Sequence, residues 1–300
     1  MHPLVSVIIP TYNADKHIQR CVRSVLEQDY PSDKTEIIIA DNCSDDNTTG
    51  KAQELADNII VTKECKYTGS PYSARNRGIE ASGGEVIVLL DSDCVPEKQW
   101  LSRGTEALLA QKADVVGGGV VFRLDETATF GEMYDAIMNI RMKASVEQHR
   151  MAKTVNLFIK RSVFTDIGLF PEGWRSGGDV FWTRSLTAAG KQLVYCDSAR
   201  VYKPPRKLKG LLKKQWRVAT AQPRVWLRQK EYLTLLIHLA KIAIPPRTIR
   251  NNIKENGKPF MTRYVYRLFL LSLIVRPVMI LGNISGVFQY LFSTRKHNAS

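Results

Sequence analysis

The chain has 300 residues, of which 44% are hydrophobic and 24% charged, so it can bury a core and is neither disordered nor fibrous. Its 43 Lys and Arg residues exceed its 29 Asp and Glu residues by 14, which alone would favour a nucleic-acid-binding protein. Residues 1–200, however, hold 23 basic and 27 acidic side chains (net −4), whereas residues 201–300 hold 20 and 2 (net +18), so the last third carries all of the excess positive charge.

Short apolar runs rich in β-branched residues alternate with polar, helix-compatible stretches through about residue 121. This alternation predicts an α/β fold, a mostly parallel sheet with helices on both faces. The predicted strands cover 4–9, 35–40, 59–62, 85–90 and 115–121, and the predicted helices cover 15–28, 47–56 and 73–82. Ligands of open α/β sheets bind beyond the carboxyl ends of the strands, so the residues that follow each strand are candidates for a site.

The middle third is less regular. It predicts a helix at 130–150, a strand at 154–160, a Gly-rich loop at 173–178, a helix at 179–189, and strands at 193–196 and 199–202.

The last third combines positive charge with apolar residues. Residues 206–217 form a basic amphipathic stretch, and residues 264–292 are the most apolar long segment, interrupted by Arg267, Arg276 and Pro277. Because an arginine in the middle of a bilayer is costly, we expect helices that lie in the membrane interface, with one marginal span as the alternative. Anionic lipid would attract the basic residues by about 1 kcal/mol each. For 206–217 the alternative is a solvated helix that packs its leucines on the protein.

The five cysteines, Cys21, Cys43, Cys65, Cys94 and Cys196, are scattered and form no CxxC pair. The pattern is typical of neither a disulfide framework nor a zinc site, and it predicts a reducing cytosol as the setting. An apolar strand follows the N-terminus without a basic leader, so we expect no signal peptide.

Polar residues follow three predicted strands, at 10–13, 41–46 and 91–93. Each cluster alone is an ordinary turn, but together they converge on one edge of the sheet, where a nucleotide-sized ligand would lie. The last cluster places the carboxylates of Asp91 and Asp93 at one strand exit. A hard divalent cation, Mg²⁺ or Mn²⁺, would balance their charge; the alternative is that Asp93 caps a helix starting at Pro96.

Four ordered motifs resemble family 2 of the glycosyltransferases, which have the GT-A fold. They are VSVIIPTYN at 5–13, IIIADNCSDDNT at 37–48, SARNRG at 73–78 and GEVIVLLDSD at 84–93. The similarity continues through NLFIKR at 156–161, GLFPE at 168–172 and GGD at 177–179, so it covers roughly residues 4–190. The resemblance implies an inverting enzyme that takes a sugar from a nucleotide-sugar.

The same resemblance implies roles for individual residues. Thr11, Asn13 and Asp41 would line the nucleoside pocket, with Asp41 accepting a hydrogen bond from a pyrimidine base. Arg75 would reach the nucleotide from the loop before its helix; without the neighbouring motif, a solvated arginine at a helix start would be the favoured interpretation. Asp93, with Asp91, would bind the metal that holds the donor pyrophosphate and offsets the charge of the departing nucleoside diphosphate.

Asp179 matches the catalytic carboxylate of the family, the base that removes the proton of the acceptor hydroxyl. The alternative is an N-cap for a helix starting at Val180, and both roles can coexist. Three features depart from the family pattern: Asn42-Cys43 stand where Asp-Gly is frequent, Gly178 stands where many members have Glu, and residues 215–217 do not match the QxxRW motif of processive synthases. We therefore expect one sugar per acceptor.

These observations predict a GT-A catalytic domain over 1–203 and a basic, membrane-associating helical region over 204–300. The expected partners are a nucleotide-sugar, most simply a UDP-sugar, a glycan or lipid-linked acceptor, and the anionic inner face of the cell membrane, with no nucleic acid. Two alternatives stay open: a nucleotidyltransferase that uses a nucleoside triphosphate, and a non-enzymatic basic module that binds lipid or nucleic acid. Neither GxGxxG nor GxxxxGK[ST] occurs, which disfavours dinucleotide and P-loop enzymes.

Overall fold

The structure, a computed structural model, describes residues 2–229, 231–243 and 248–297. Lys230 and Arg247, which belong to the basic last third, lie outside the described residues. The chain divides into two units, one of Met1–Phe122 with Ile140–Pro204 and one of Arg123–Asn139 with Pro205–Ser300. Residues 123–139 thus belong to the second unit, although they lie inside the range expected for the catalytic domain.

The first unit is built on an eight-stranded sheet. Its strands are β1 Val5–Thr11, β2 Thr35–Asp41, β3 Ile60–Lys63, β4 Val86–Leu90, β5 Val95–Pro96, β6 Val115–Phe122, β7 Asn156–Lys160 and β8 Leu193–Lys203. Their order is β3-β2-β1-β4-β7-β6-β8-β5, in which β7 and β5 run against the others. The prediction of a mostly parallel α/β sheet is confirmed. The carboxyl ends of β1, β2, β4 and β8 therefore lie at the same edge.

The described helices of the first unit have at most 11 residues, whereas the second unit holds the two longest, of 21 and 33 residues. The helices are α1 Ile18–Leu26, α2 Thr48–Gln53, α3 Pro71–Ala81, α4 Trp100–Ala110, α5 Phe130–Met138, α6 Met142–His149, α7 Ser162–Ile167, α8 Gly178–Ala188, α9 Leu208–Arg228, α10 Tyr232–Ala243, α11 Ile249–Asn256 and α12 Val265–His297. Two 3₁₀ turns cover Ser32–Lys34 and Pro259–Tyr264.

Helix α3 lies directly on the sheet because of one glycine. A Cβ at Gly78 would come 2.5 Å from Ile8 Cγ2 and 3.3 Å from Ala40 Cβ, so only glycine permits this approach to β1 and β2. The Asn76 amide donates to the Phe170 carbonyl at 2.9 Å and accepts from the Phe170 N–H at 3.1 Å. The SARNRG motif thereby fixes α3 and the segment before α8 on the same sheet.

Three predicted elements were wrong in extent. The helix predicted at 130–150 is two helices, because Asn139 is extended and Ile140 has a φ of 50°, which ends α5 before α6 begins. The strands predicted at 193–196 and 199–202 are one strand, β8, because the polar residues between them are accommodated by a register shift opposite Gly118 and Val120.

The cysteine pattern was typical of no disulfide framework, yet the structure contains a disulfide. Cys43 and Cys65 form a disulfide with their Cα atoms 5.0 Å apart. Each follows one of two neighbouring parallel strands, β2 and β3, whose pairing places Asp41 opposite Lys63. Strand pairing therefore brings together two cysteines that are 22 residues apart in sequence. Cys21, Cys94 and Cys196 are free.

In the second unit, α9 and α12 pack closely through small residues. A Cβ at Gly282 would come 2.7 Å from Ala219 Cβ, and a Cβ at Gly286 would clash with the Thr220 carbonyl. Helix α12 continues through Arg276 and Pro277, so the apolar segment that these residues interrupt is part of a single helix. The core of this unit consists of Met133, Tyr134, Ile137, Leu211, Ile249, Ile253, Met261, Leu268, Leu271 and Val275.

The opposite face of α12 is apolar and exposed. Its large exposed residues recur at helical spacing: Tyr266, Leu270, Leu273, Ile274, Leu281, Ile284, Phe288, Leu291 and Phe292. In the described part of the chain one stretch, Pro259–Phe292, has the length and hydropathy of a membrane span, and 33% of its most apolar window is buried inside the protein. These two criteria are also met by core helices of soluble proteins.

Candidate active site

The ends of β1 and β2 form one polar turn. Thr11 lies opposite Asp41 in the sheet, and its hydroxyl donates to Asp41 Oδ1 at 2.9 Å. Ser44 donates to the same carboxylate through its hydroxyl (2.6 Å, to Oδ1) and its N–H (2.9 Å, to Oδ2). Asn13, exposed and with a φ of 51°, accepts from the Asp45 N–H at 3.1 Å. The structure thus brings together the three residues expected at a nucleoside pocket.

Asn42 and Cys43, at which the sequence departs from the family pattern, link this turn to the loop after β3. The Asn42 amide donates to the carbonyls of Glu64 at 2.8 Å and Tyr67 at 3.2 Å, while Cys43, at a φ of 66°, is cross-linked to Cys65. The loops after β2 and β3 are therefore held together by two hydrogen bonds and one covalent bond. The sequence contained the cysteines, but only the strand order reveals their pairing.

Glu64 links the loop after β3 to α3. Its buried carboxylate accepts from the Tyr67 N–H at 3.0 Å and from Arg77 Nε at 3.0 Å. Burial acts to raise the pKa of Glu64, but these hydrogen bonds and the charge of Arg77 outweigh it, so the pKa lies below the usual range for glutamate.

Asp91 and Asp93 follow β4 and meet two cations. Lys203, the last residue of β8, contacts Asp91 Oδ2 at 3.1 Å and also pairs with Asp93 Oδ1. Arg75 donates to Asp91 Oδ1 at 2.8 Å. The Lys203 side chain is only 1% exposed, whereas those of Asp91 and Asp93 are 29% and 27% exposed. The two carboxylates thus face solvent on one side and a buried ammonium on the other.

Arg75 was expected in the loop before α3 and lies instead in the second turn of that helix. It is 3% exposed, so the interpretation as a solvated arginine is wrong as well. Its guanidinium lies 5.7 Å from the centre of the Tyr72 ring, whose hydroxyl contacts Asp179 of α8. The alternative role of Asp93 as a helix cap is excluded, because the next helix, α4, begins at Trp100 with Gln99 as its N-cap.

The acid pair fits a divalent cation that brings further ligands with it. Both oxygens of Asp91 accept from cations, whereas only one oxygen of Asp93, Oδ1, is paired. Within the described residues no cluster of three or more His, Cys, Asp or Glu side chains could hold a metal. One or two carboxylates completed by substrate phosphates is the ordinary ligand set of Mg²⁺, so the residues fit a metal that is shared with a diphosphate.

Asp179 is held at the start of α8 by Tyr72. The Tyr72 hydroxyl and the Val180 N–H both donate to Asp179 Oδ1 at 2.9 Å, which leaves Oδ2 directed to neither. Burial and the neighbouring carboxylate raise the pKa of Tyr72, so the hydroxyl stays protonated and remains a donor. The helix starts at Gly178 with Gly177 as its N-cap, so Asp179 lies inside the first turn and is not the N-cap.

The Tyr72 ring leaves no room for a side chain at position 178, directly before Asp179. A Cβ at this position would come within 2.8–3.0 Å of three atoms of the Tyr72 ring. Gly178 therefore makes room for the ring whose hydroxyl orients Asp179.

The sequence analysis missed Lys203 and Tyr72. Lys203 could have been found by the criterion that identified Asp91, because it too ends a strand at the carboxyl edge. Tyr72 could not, since its partner Asp179 is 107 residues away in sequence.

Known proteins resemble this chain in sequence. A family model described as "Glycosyl transferase family 2" matches residues 6–168. Glycosyltransferase AglE of Haloferax volcanii is 37% identical to this chain over 296 residues, covering 96% of this chain and 97% of AglE.

Two solved structures share the fold. The mannosyltransferase PcManGT from Pyrobaculum calidifontis, in complex with GDP-Man and Mn²⁺, has a TM-score of 0.67 at 18% identity and is matched over 96% of this chain and 88% of its own. Staphylococcus aureus TarS 1–349, in complex with UDP-GlcNAc, has a TM-score of 0.58 at 18% identity, over 95% of this chain and 91% of its own. The fold is therefore a mixed α/β, GT-A-like fold with a long C-terminal helix.

These matches decide between the alternatives left open by the sequence, in favour of a transferase that uses a nucleotide-sugar and against a nucleotidyltransferase or a non-enzymatic basic module. The chain belongs to glycosyl transferase family 2.

Proposed function

We propose that this glycosyltransferase is inverting and metal-dependent, and that it moves one sugar from a UDP-sugar to a glycan or lipid-linked acceptor at the cytoplasmic face of the membrane. The observation that carries the proposal is the convergence of three groups at one sheet edge: the Thr11–Asp41 turn, the Asp91–Asp93 pair and, through Arg75 and Tyr72, Asp179.

The donor would lie along this edge. An ionised carboxylate offers about four acceptor positions, so Asp41, with three donors already on it, can accept one more, such as the N3–H of a uracil. Asp93, with Asp91, would hold Mn²⁺ or Mg²⁺, which when bound offsets the negative charge of the departing diphosphate. The uridine nucleotide is favoured by the likeness to TarS, while PcManGT makes a guanosine nucleotide the competing outcome.

Asp179 would act as the base. Its Oδ1 is held by two donors, so Oδ2 can accept the proton of an acceptor hydroxyl as that oxygen attacks the anomeric carbon. Arg75 pairs with Asp91 and lies near the ring of Tyr72, whose hydroxyl contacts Asp179, and the sugar would lie between Asp179 and the acid pair. Attack from the side opposite the diphosphate inverts the configuration of the sugar. The absence of a QxxRW match favours one sugar per acceptor.

The second unit would dock on the membrane. Its exposed apolar residues on α12, together with Leu233 (70% exposed) and Leu236 (62% exposed) on α10, occur in the third of the chain with a net charge of +18. Since the opposite face of α12 is packed against protein, an interfacial position uses only the exposed face. The anionic cytoplasmic leaflet is the surface that such charge selects.

The membrane proposal is tested by flotation of the full chain with anionic and neutral liposomes. We expect flotation with anionic vesicles that weakens with salt, and loss of flotation in a Leu233→Glu/Leu236→Glu variant. Leu109→Glu, on an exposed leucine of α4, is the matched control and should float normally. Equal flotation of the double variant and the wild type would contradict the proposal.

The catalytic proposal is tested with two variants. Thermal-shift measurements with UDP-, GDP- and dTDP-sugars in the presence of Mn²⁺ first identify the donor, because a ligand of the native state raises the melting temperature. Asp93→Ala should then abolish turnover, while Asp179→Asn should keep donor binding and lose transfer. Asp166→Ala, which removes an exposed surface ion pair with Lys191, is the control. Turnover like that of the wild type in Asp93→Ala would refute the metal assignment.

A further inference from the structure

The acid pair is already neutralised by the protein itself. Lys203 pairs with both Asp91 and Asp93, and Arg75 pairs with Asp91, so two positive and two negative side chains meet in one cluster. Burying an ammonium is unfavourable unless it is paired, and the Lys203 side chain, which is 1% exposed, pairs with both carboxylates. The cluster as a whole has no net charge.

We expect such a cluster to bind a divalent cation only weakly when no other ligand is present. It would bring two positive charges next to Lys203 and Arg75, and Oδ2 of Asp93 is the one carboxylate oxygen of the pair to which neither cation is directed. The diphosphate of a nucleotide-sugar carries two negative charges and supplies oxygen ligands. Cation and diphosphate together therefore leave the cluster neutral, whereas the cation alone does not.

We propose that Lys203 makes divalent-cation binding conditional on the donor diphosphate. In the free enzyme the Lys203 ammonium neutralises Asp91 and Asp93, and in the donor complex the metal and the diphosphate bind there together. This inference rests on the proposed function, because it assumes that the donor diphosphate binds at Asp91 and Asp93. The coupling is reciprocal: a diphosphate that strengthens Mn²⁺ binding is itself strengthened by Mn²⁺ to the same extent.

The test is equilibrium dialysis of the full chain against MnCl₂, with and without UDP, with a protein-free chamber correcting for Mn²⁺ held by UDP in solution. We expect UDP to strengthen Mn²⁺ binding to the wild type at least tenfold, whereas uridine, which has no phosphate, should leave it unchanged. Lys203→Met should bind Mn²⁺ without UDP at least tenfold more tightly than the wild type. Lys203→Arg, which keeps the charge, should preserve the coupling.

The outcomes separate the two proposals. If the wild type binds Mn²⁺ tightly without nucleotide and no more tightly with UDP, GDP or dTDP, or if Lys203→Met binds Mn²⁺ alone no better than the wild type, the inference on Lys203 is overturned while the donor site stands. If neither UDP, GDP nor dTDP brings Mn²⁺ to the wild type, the proposed function fails and the inference with it. Should Lys203→Met not fold, Lys203→Gln takes its place, and Mn²⁺ binding to that variant without UDP that is no tighter than that of the wild type overturns the inference.

Discussion

The hydrogen bond from Tyr72 to Asp179 allows the role of Asp179 to be tested without altering the carboxylate. Tyr72→Phe removes one hydroxyl and keeps the ring, which packs near Phe170 and beneath Arg75. A hydrogen bond to a charged acceptor contributes about 1.5–3 kcal/mol. Asp179 keeps its second donor, the Val180 N–H, so we expect the lower end of this range.

A loss of about 1.4 kcal/mol corresponds to about a tenfold lower kcat. The donor KM should be unchanged, because Tyr72 contacts the base and not the acid pair. Since phenylalanine leaves no buried polar atom without a partner and Asp179 can take a water molecule in place of the hydroxyl, the free energy of unfolding should change by less than about 1 kcal/mol.

The assay is steady-state release of nucleoside diphosphate with the donor identified by the thermal-shift screen. The matched control is Tyr195→Phe, which removes a tyrosine hydroxyl donating to Asp197 at 2.8 Å, away from the acid pair and Asp179. A kcat for Tyr72→Phe within twofold of the wild type would refute the claim that this hydroxyl orients the base.

Three further predictions concern Gly178, Glu64 and the Cys43–Cys65 disulfide. Gly178→Ala should displace the Tyr72 ring and lower kcat at least as much as Tyr72→Phe, whereas Gly210→Ala, whose Cβ meets nothing closer than 3.7 Å, should leave kcat unchanged. Folding lowers the pKa of Glu64, so this carboxylate stabilises the folded protein above its unfolded pKa of about 4.3. The stabilisation is lost as the pH falls through the lower pKa of the folded state. Glu64→Gln should therefore lose less stability than the wild type over this pH range in an acid unfolding measurement. Thiol titration of the unfolded, unreduced protein should find three thiols, and five would contradict the pairing. Reducing the Cys43–Cys65 disulfide should lower the free energy of unfolding by about 3 kcal/mol, because the two cysteines are 22 residues apart in sequence.

The parts of the fold that the sequence predicted are those in which local pattern decides the structure. The strands β1, β2 and β4 are buried along nearly their whole length, so their apolar runs were unambiguous, and the polar residues at their ends could be placed at one edge. Helix α3 was also predicted nearly in full, although Arg75, expected ahead of it, points inward from its second turn.

The remainder depends on contacts between residues that are far apart in sequence. Lys203 reaches Asp93 across 110 residues, and the Cys43–Cys65 pairing requires knowing that β2 and β3 are neighbours. The continuity of α12 through Pro277 is stabilised by packing against α9, which a hydropathy pattern does not show.

The central claim is that the carboxylates after β4 bind the diphosphate of a sugar donor through a metal. The most direct measurement is calorimetric titration of UDP, at a fixed saturating concentration of Mn²⁺, into the wild type and into Asp93→Asn. The account predicts binding to the wild type and at least a hundredfold weaker binding to the variant, with both unliganded proteins folded at the temperature of the titration. Equal affinity of the two proteins for UDP would contradict it.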